Sequence, residues 1–413
     1  MDSEQTVRTF LDFFRDRGHH VLPGASLVRP PGDPVLFTTS GMHPLTPYLT
    51  GRPHPSGVRL ADVQRCLRTT DLDEVGDPTH LTAFQMLGSW SLGDYDSARS
   101  ITWAHELLVD GYGIPPSRLH ATVFGGDTGH PGDGLGPDEG TESAWGELGV
   151  PVERLGPDNW WTNGPTGPCG PDSEIFVWTG GGDPTGTPGT DPRWVEVWNH
   201  VSMRWLRLAD GTLRPLPRGS VDTGMGLERL VTILQGRPSV YDSDVFGAWR
   251  EVLPGLWEGD RTTHRIVADH LRSAAVLVAD GVRPAATGHG YVLRRLVRRV
   301  LTLLWRDDQD RTLADLPPEP VEVSLRHFGL LTSGPPEPGL PQGRTQGPTL
   351  GARVREVLLD EERRFASQLE RGRRVLSQPR FAGPLGEEDY AYLHDTHGLP
   401  RELVTALRAE PDW

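Results

Sequence analysis

Four arginines stand close together in a segment with helical periodicity, and their spacing suits the binding of anions. Apolar residues at helical spacing predict an amphipathic helix over 291–305. Its other side carries Arg294, Arg295, Arg298 and Arg299. Like charges at this spacing repel one another, so these arginines need carboxylate or phosphate partners. Spacing by itself favours carboxylates of this acidic protein, and phosphates of a ligand are the alternative.

A single amide stands among apolar residues in a predicted strand. Positions 194–206 alternate, which predicts a strand with Val195, Val197, Asn199, Val201 and Met203 on one face. Asn199 is the polar exception on that face. A buried amide among valines is either satisfied within the core or in contact with a ligand, and the pattern leaves both interpretations open.

Helices and strands mix in the first part of the chain, and helices dominate the second. A helix is predicted around 10–14, a short strand over 174–178 and a long charged helix over roughly 350–376. Glycine and proline are concentrated in three predicted loops or linkers, at 125–140, 179–192 and 332–349. We therefore expect an α+β domain over 1–245 and a helical domain over 246–413.

The composition excludes several classes of protein. The 413 residues allow two or three domains, and a formal charge of -15 argues against non-specific coating of nucleic acid, although a local basic face is compatible with it. The sequence lacks an apolar stretch of about 18 residues that would span a membrane, and the polar start MDSEQTVRTF is unlike a secretory signal. Two cysteines, Cys66 and Cys169, are too few for a disulfide scaffold or a zinc knot. We expect a soluble cytoplasmic protein.

Four segments carry a resemblance to a known family. They are FTTSGM at 37–42, QRCLRTTDLDEVGDPTHLTAFQMLGSWSLGDY at 64–95, DNWWTNGPTGPCGPDSEI at 158–175 and VDTGMGLERL at 221–230. In order and spacing they are similar to motif 1, motif 2, the glycine-rich alanine-pocket loop and motif 3 of the alanyl-tRNA synthetases. WNHVSM at 198–203 also matches that family, and the segments at 264–300 and 390–400 resemble its tRNA-recognition domain. The resemblance therefore covers almost the whole chain.

The resemblance implies a class II synthetase fold, in which an antiparallel sheet flanked by helices precedes a helical tRNA-recognition domain. The implied activity joins alanine to the α-phosphorus of ATP, with Mg²⁺, and then transfers alanine to tRNA. Arg68 matches the motif 2 arginine that holds the α-phosphate and the carboxylate, and Arg229 matches the motif 3 arginine on the γ-phosphate side. A guanidinium suits both tasks because its planar fork is always charged.

Further residues match the family's binding sites. For ATP these are Met86, Trp90 and Gly226, and Glu174 resembles a carboxylate that binds Mg²⁺. For alanine the resemblance implies that Asp222 takes the ammonium group, that Gly224 leaves room for close approach, and that the pocket is completed by Trp161, Asn199 and Val201. For tRNA it implies the four arginines at 294–299 together with Asp395.

The sequence also departs from the family pattern. TTDLDEVG follows Arg68 where the family carries an AGGKHND-like segment, and Pro165 and Asp172 replace an aspartate and a cysteine of the glycine-rich loop. No HxxxH pair occurs, and His264 and His270 are too far apart in sequence for a metal pair on one helix turn, so we assign no metal ligands and expect no zinc. We also expect that the editing domain and the C-terminal domain of the family are missing from this chain.

Three functions remain open on the sequence. The first is alanine–tRNA ligase activity, which the helical tRNA-recognition segment supports. The second is activation of alanine followed by transfer to another acceptor, such as a carrier protein or a small metabolite, which the altered motif 2 segment supports. The third is a catalytically silent binding protein, against which the intact Arg68, Asp222 and Arg229 argue.

Overall fold

The structure is a computed structural model that describes the whole chain except residues 31, 34, 127–133, 332–347, 398, 400 and 410–413. Two compact units are present, Met1–Gly247 and Ala248–Trp413. Much of the predicted loop at 125–140 and nearly all of the predicted linker at 332–349 lie outside the described residues. Among the described residues, no helix is long and apolar enough to cross a membrane.

The first unit is built on one mixed sheet, whose described strands are nine in number. They are β1 His20–Val21, β2 Arg59–Leu67, β3 Ala83–Ser91, β4 Leu119–Phe124, β5 Val152–Leu155, β6 Trp160–Thr162, β7 Gly167–Trp178, β8 Trp194–Arg207 and β9 Leu213–Gly226. The order is β1-β2-β3-β9-β8-β7-β4-β5, and β6 pairs with β7. Pairing is antiparallel except at the two edges, where β1 joins β2 and β4 joins β5 in parallel. This confirms the predicted α+β class.

Helices cover the sheet and close its core. They are α1 Ser3–Asp16, α2 Thr46–Leu49, α3 Ser97–Glu106, α4 Glu139–Glu147 and α5 Leu227–Leu234. The predicted helix around 10–14 is confirmed within α1, which begins at a capping box of Asp2 and Gln5. Phe10 and Phe14 pack against Trp198 of β8, and their ring centroids lie 6.0 and 6.4 Å, respectively, from the centroid of the Trp198 ring. Burial of these rings fixes one face of the sheet against α1.

The central strand β8 is buried on both faces. Val201 and Met203 lie in one apolar cluster, while Trp198 and His200 are buried on the side of α1 and α3. A bulge interrupts the predicted alternation, because Phe176 pairs with Glu196 and Ile175 pairs with Trp198, which leaves Val197 without a partner in β7. The bulge changes which side chains share a face with Asn199.

The second unit is helical, as predicted for the C-terminal part. Its helices are α6 Gly247–Leu256, α7 Arg261–Ala279, α8 Gly288–Asp307, α9 Glu319–His327, α10 Leu350–Leu376, α11 Glu387–His397 and α12 Arg401–Ala409. The helix predicted over 291–305 is confirmed in α8, and the one predicted over roughly 350–376 is confirmed in α10. α7 is buried along most of its length, and α8 and α10 pack their apolar stripes into the same unit.

Candidate active site

The register of the sheet brings polar residues of five strands into two neighbouring rows. One row runs across the strands through Asp62, Gly88, Gly224, Asn199 and Glu174. The adjacent row runs through Leu60, Trp90, Asp222, Val201 and Asp172. Directly paired residues of antiparallel strands place their side chains on the same face. Residues far apart in sequence therefore share one surface of the sheet.

A cleft next to these rows collects most of the residues that were predicted to bind ATP. Arg68, Met86, Gly224, Gly226 and Arg229 line it. Phe84, His80 and Glu196 contribute further walls. Two arginines thus face one cleft whose floor is made of glycine backbone and a flexible methionine. Such a cleft suits a planar base on the apolar wall and phosphates near the guanidinium groups.

Arg68 is held without an ion pair. Its Nε donates to the carbonyl oxygen of Thr39 at 3.3 Å, and its guanidinium lies 5.0 Å from the ring centroid of Phe84. No salt bridge joins Arg68 to any carboxylate in the described part of the chain. The positive charge is positioned by the backbone and an aromatic face, and it remains available to an anion.

A histidine connects the neighbourhood of Arg68 to the glycine-rich loop. The Nδ1 of His43 accepts from the backbone N–H of Thr39 at 3.1 Å, so Nε2 carries the proton and donates to Oδ1 of Asn163 at 2.8 Å. Burial lowers the pKa of His43, which keeps the ring neutral. Neither His43 nor Asn163 was predicted from the sequence, because their partners lie in separate segments.

Arg229, in the first turn of α5, is fixed by a carboxylate of β8. Its guanidinium donates to the Oε2 of Glu196 at 2.8 Å and to the carbonyl oxygen of the same residue at 2.9 Å. Glu196 stands at the bulge of β8. Burial, followed by the charge of Glu196, raises the pKa of Glu174 to about 9. Asp172 and Asp158 raise that pKa further. These carboxylates form an acidic end of the site, with Arg229 directly beside it.

The acidic end fits a magnesium ion only together with phosphate oxygens. In the described ranges, no group of three His, Cys, Asp or Glu side chains is arranged to hold a metal ion. Mg²⁺ is usually bound through one or two carboxylates plus substrate phosphates. Burial and the nearby charge of Glu196 raise the pKa of Glu174, and a divalent cation beside Glu174 would favour its ionised form. These two residues are the ones that would hold it.

Asp222 and Trp90 form the centre of a buried cluster on the same face of the sheet. The Nε1 of Trp90 donates to Oδ1 of Asp222 at 2.6 Å, and burial raises the pKa of Asp222 to about 7. Trp90 is fully buried and belongs to the same apolar cluster as Val201, and Trp161 packs against that cluster. Trp90 thus contacts residues matched to the alanine site, and its role in binding ATP stays a prediction.

Two glycines, one on β3 and one on β9, make room for side chains of β3. A Cβ on Gly88 would lie 2.0 Å from the Trp90 indole, so only glycine permits this position of the ring. A Cβ on Gly224 would lie 2.6 Å from the Sδ of Met86. Gly224 lines the cleft with Met86 against it, and its role in leaving room for the amino acid stays a prediction. Gly226 has no such close neighbour, since a Cβ there would lie 3.6 Å from the nearest atom.

The predicted pocket residues Asn199 and Val201 lie on one face of β8. Asp172 of β7 and Asp62 of β2 lie on the same face of the sheet. The Nδ2 of Asn199 donates to Oδ2 of Asp172 at 3.1 Å. Asp62 is 4 % exposed, its Oδ1 has no hydrogen-bond partner among the described residues, and burial followed by the charge of Asp222 raises its pKa. The sequence analysis missed Asp62, because its place beside Asp222 depends on the pairing of β2 with β3.

Two arginines of α8 are paired with a carboxylate of the same helical unit. Arg298 donates from Nε to Oε1 of Glu361 at 2.6 Å and from a terminal nitrogen to Gln368 at 2.8 Å, and it lies 4.8 Å from the centroid of Phe365. Arg294 approaches the same Glu361 at 3.4 Å. A buried carboxylate of α10 thus pairs with two of the four arginines, and their role in binding tRNA stays a prediction.

The remaining residues predicted for tRNA are at the surface or partly buried. Arg295 is exposed and Arg299 is half-buried. Asp395 is exposed in α11 and accepts from Nδ1 of His394 at 2.9 Å. Their role in binding tRNA stays a prediction.

The fold and the site together define a class of protein. An antiparallel sheet between helices carries one arginine just beyond β2 and another in the first turn of the helix after β9, and both face one cleft, as in class II aminoacyl-tRNA synthetases. The chain belongs to the family described as tRNA synthetases class II (A), which matches residues 5–329.

Curated relatives support this placement. The chain is 47 % identical to an alanine–tRNA ligase of Treponema denticola over 71 % of the chain and 51 % of the relative. It is 40 % identical to an alanine–tRNA ligase of Treponema pallidum over 99 % of the chain and 68 % of the relative. With an alanine–tRNA ligase of Rubrobacter xylanophilus the identity is 39 %, over 99 % of the chain and 47 % of the relative. The chain thus spans about half the length of two of these three relatives.

The pKa of Asp222 predicts how amino-acid binding depends on pH. Its folded-state pKa is raised to about 7, so the carboxyl is protonated below this pH and cannot balance an α-ammonium group. In alanine-dependent ATP–pyrophosphate exchange, the KM for alanine should rise as the pH falls from about 8 to about 6, by up to roughly tenfold per unit at the acidic end. The KM for ATP serves as the internal control. In Asp222→Asn the KM for alanine should be high throughout and depend less on pH. A wild-type KM for alanine that is flat over this range would contradict the assignment.

The ion pair of Arg298 predicts a structural role for that residue. Arg298→Gln should lower the free energy of unfolding of the helical unit by ~1–3 kcal/mol, because Glu361 is buried and loses a charged donor. Arg353→Gln, the matched control at an exposed position of α10, should change it by less than ~0.5 kcal/mol. Urea unfolding followed by circular dichroism measures both. Equal effects of the two substitutions would show that Glu361 does not depend on Arg298.

Proposed function

We propose that this protein activates alanine with ATP, as an alanyl-adenylate, and transfers the alanine to tRNA. The observation that carries the proposal is that the cleft and the group of residues matched to alanine lie on one face of the sheet. The cleft of Arg68 and Arg229 adjoins the pocket of Asp222, Asn199 and Val201. A reaction between a phosphorus atom and a carboxylate requires these two kinds of binding site side by side.

The two arginines have distinct tasks in this proposal. Arg68, which has no carboxylate partner among the described residues, binds the α-phosphate and the alanine carboxylate, whose oxygen attacks the α-phosphorus while pyrophosphate leaves. Arg229, held by Glu196, binds the γ-phosphate side. Both supply positive charge where negative charge accumulates in the transition state. Mg²⁺, when bound by Glu174 and Glu196 together with phosphate oxygens, adds charge neutralisation there.

The alanine pocket recognises the ammonium group by charge and the side chain by shape. Asp222 accepts the α-ammonium group through the oxygen that Trp90 does not occupy. Val201 and Trp161 supply the apolar wall that limits the side chain. The second unit then recognises tRNA, with Arg295, Arg299 and Asp395 as the contacts. We place this activity in the cytoplasm, where tRNA is charged.

A second candidate is transfer of the activated alanine to a different acceptor. The observation in its favour is the acidic segment that follows Arg68. There His80 is bound by Asp77 at 2.6 Å and by Glu74 at 3.0 Å, and Asp71 lines the cleft. Carboxylates at the mouth of the cleft repel the phosphates of a tRNA acceptor end. A carrier protein or a small metabolite would not meet this repulsion.

One experiment separates these functions. ATP–pyrophosphate exchange is measured with each proteinogenic amino acid, and transfer of the activated amino acid to total tRNA is measured next. Exchange with alanine followed by transfer supports the first proposal, and its tRNA affinity should then weaken as salt rises. Exchange without transfer supports another acceptor. Absence of exchange with every amino acid would overturn both and leave a binding function.

Arg68 provides the sharpest test of the chemical step. Arg68→Ala should slow alanyl-adenylate formation by at least ~100-fold, the scale on which a transition-state charge donor acts. The melting temperature should change little, because Arg68 makes only one hydrogen bond to the backbone and no ion pair within the described residues. Arg8→Ala, at an exposed position of α1, is the matched control and should exchange at the wild-type rate. Near-normal exchange by Arg68→Ala would refute the assignment of the α-phosphate site.

A further inference from the structure

Asp172 is a buried carboxylate that orients two amides. It lies on β7, is 5 % exposed, and each of its oxygens accepts one amide N–H. Oδ1 accepts from Nδ2 of Asn159 at 3.0 Å, and Oδ2 accepts from Nδ2 of Asn199 at 3.1 Å. Asn159 donates also to the hydroxyl of Thr122 at 3.0 Å. A carboxylate that accepts on both oxygens leaves neither amide free to rotate.

The orientation of Asn199 follows from the charge of its neighbour. Turning the amide by half a rotation would put its carbonyl oxygen against the carboxylate oxygen of Asp172, which is a contact between two acceptors. The Nδ2 group therefore faces Asp172, and Oδ1 is directed elsewhere. Oδ1 is buried and has no hydrogen-bond partner among the described residues. A buried carbonyl oxygen without a donor costs free energy until a ligand supplies one.

The position of Asn199 between two aspartates suggests the donor. β8 lies between β7, which carries Asp172, and β9, which carries Asp222, and Val201 pairs with both of these aspartates. Asn199 pairs with Gly224, which has no side chain, and Met86 of β3 lies against that glycine. An α-ammonium group at Asp222 has three N–H donors, and one carboxylate oxygen of Asp222 is already occupied by Trp90. The ammonium therefore has donors to spare.

We propose that Asp172 is a positioning residue for the amino-acid substrate, which fixes the amide of Asn199 so that its carbonyl oxygen accepts from the α-ammonium group beside Asp222. The inference rests on the proposed amino-acid activation. It adds Asp172, at which this sequence departs from the family pattern. Asp172 does not touch the substrate. It acts through Asn199, and this distinguishes it from a residue that only stabilises the sheet.

The test is a double-mutant cycle on the KM for the amino acid. In Asp172→Asn one of the two amides loses its acceptor or turns, so the KM for alanine in exchange should rise about tenfold, whereas kcat and the KM for ATP stay within about twofold. Asn199→Ala should raise the KM for alanine to a similar extent. If Asp172 acts through Asn199, the double variant Asp172→Asn/Asn199→Ala should be no worse than Asn199→Ala. Asp183→Asn, in an exposed loop, is the matched control.

Further variants separate positioning from folding. Asn159→Ala removes the other amide bound to Asp172, and it should lower the melting temperature without changing the KM for alanine. Where Asp172→Asn does not fold, Asp172→Ser, which is smaller and keeps an acceptor oxygen, takes its place in the cycle. An unchanged KM in the Asp172 variants, or effects that multiply in the double variant, would overturn the inference.

The outcome also distinguishes this inference from the proposed function. The α-ammonium group is common to all amino acids, so the cycle is measured with whichever amino acid supports exchange. Wild-type exchange together with an insensitive Asp172 variant rejects the positioning role alone. Absence of exchange with every amino acid rejects the proposed function and the inference that rests on it.

Discussion

The pairing of β3 with β9 places Trp90 directly opposite Asp222, and the rest of the site depends on this register. A shift of β9 by one residue would turn Asp222 to the other face of the sheet, away from Trp90 and Met86. Gly88 makes this position of the Trp90 indole possible, since its missing side chain leaves the volume that the indole occupies. The indole in turn donates to Asp222 and closes the apolar wall next to Val201. One backbone alignment therefore sets a charge, a wall and the boundary between two pockets.

Charge is separated along the same face. Arg68 and Arg229 stand at the cleft, whereas Asp62, Asp172 and Asp222 are buried at the other end, where their burial raises each pKa. Burying carboxylates without cations costs free energy. Substrates of opposite charge at the two ends reduce that cost, because an ammonium group neutralises the acids and phosphates neutralise the arginines. Binding of both substrates should accordingly stabilise the folded unit.

Local patterns predicted the elements better than they predicted the site. The helix at 350–376 and the strand around 194–206 follow from periodicity, which is a short-range property of the chain. The match to known motifs located Arg68 and Asp222. The place of Trp90, the bulge at Val197 and the pairing of Arg298 with Glu361, 63 residues further on, depend on contacts between distant segments. Such contacts leave no periodic trace in the sequence.

Holding the amino acid and selecting it are separate problems in this pocket. The α-ammonium group, which Asp222 and the oriented Asn199 address, is the same in every amino acid, so these polar contacts add affinity without discrimination. Selection falls to Val201 and Trp161, which act by shape. Shape separates substrates that differ by one methylene by only ~1–3 kcal/mol, and it rejects an added hydroxyl no better. Under the proposed function, serine is therefore the competitor that this site excludes least, because it adds a single oxygen atom to alanine and keeps the whole set of ammonium contacts.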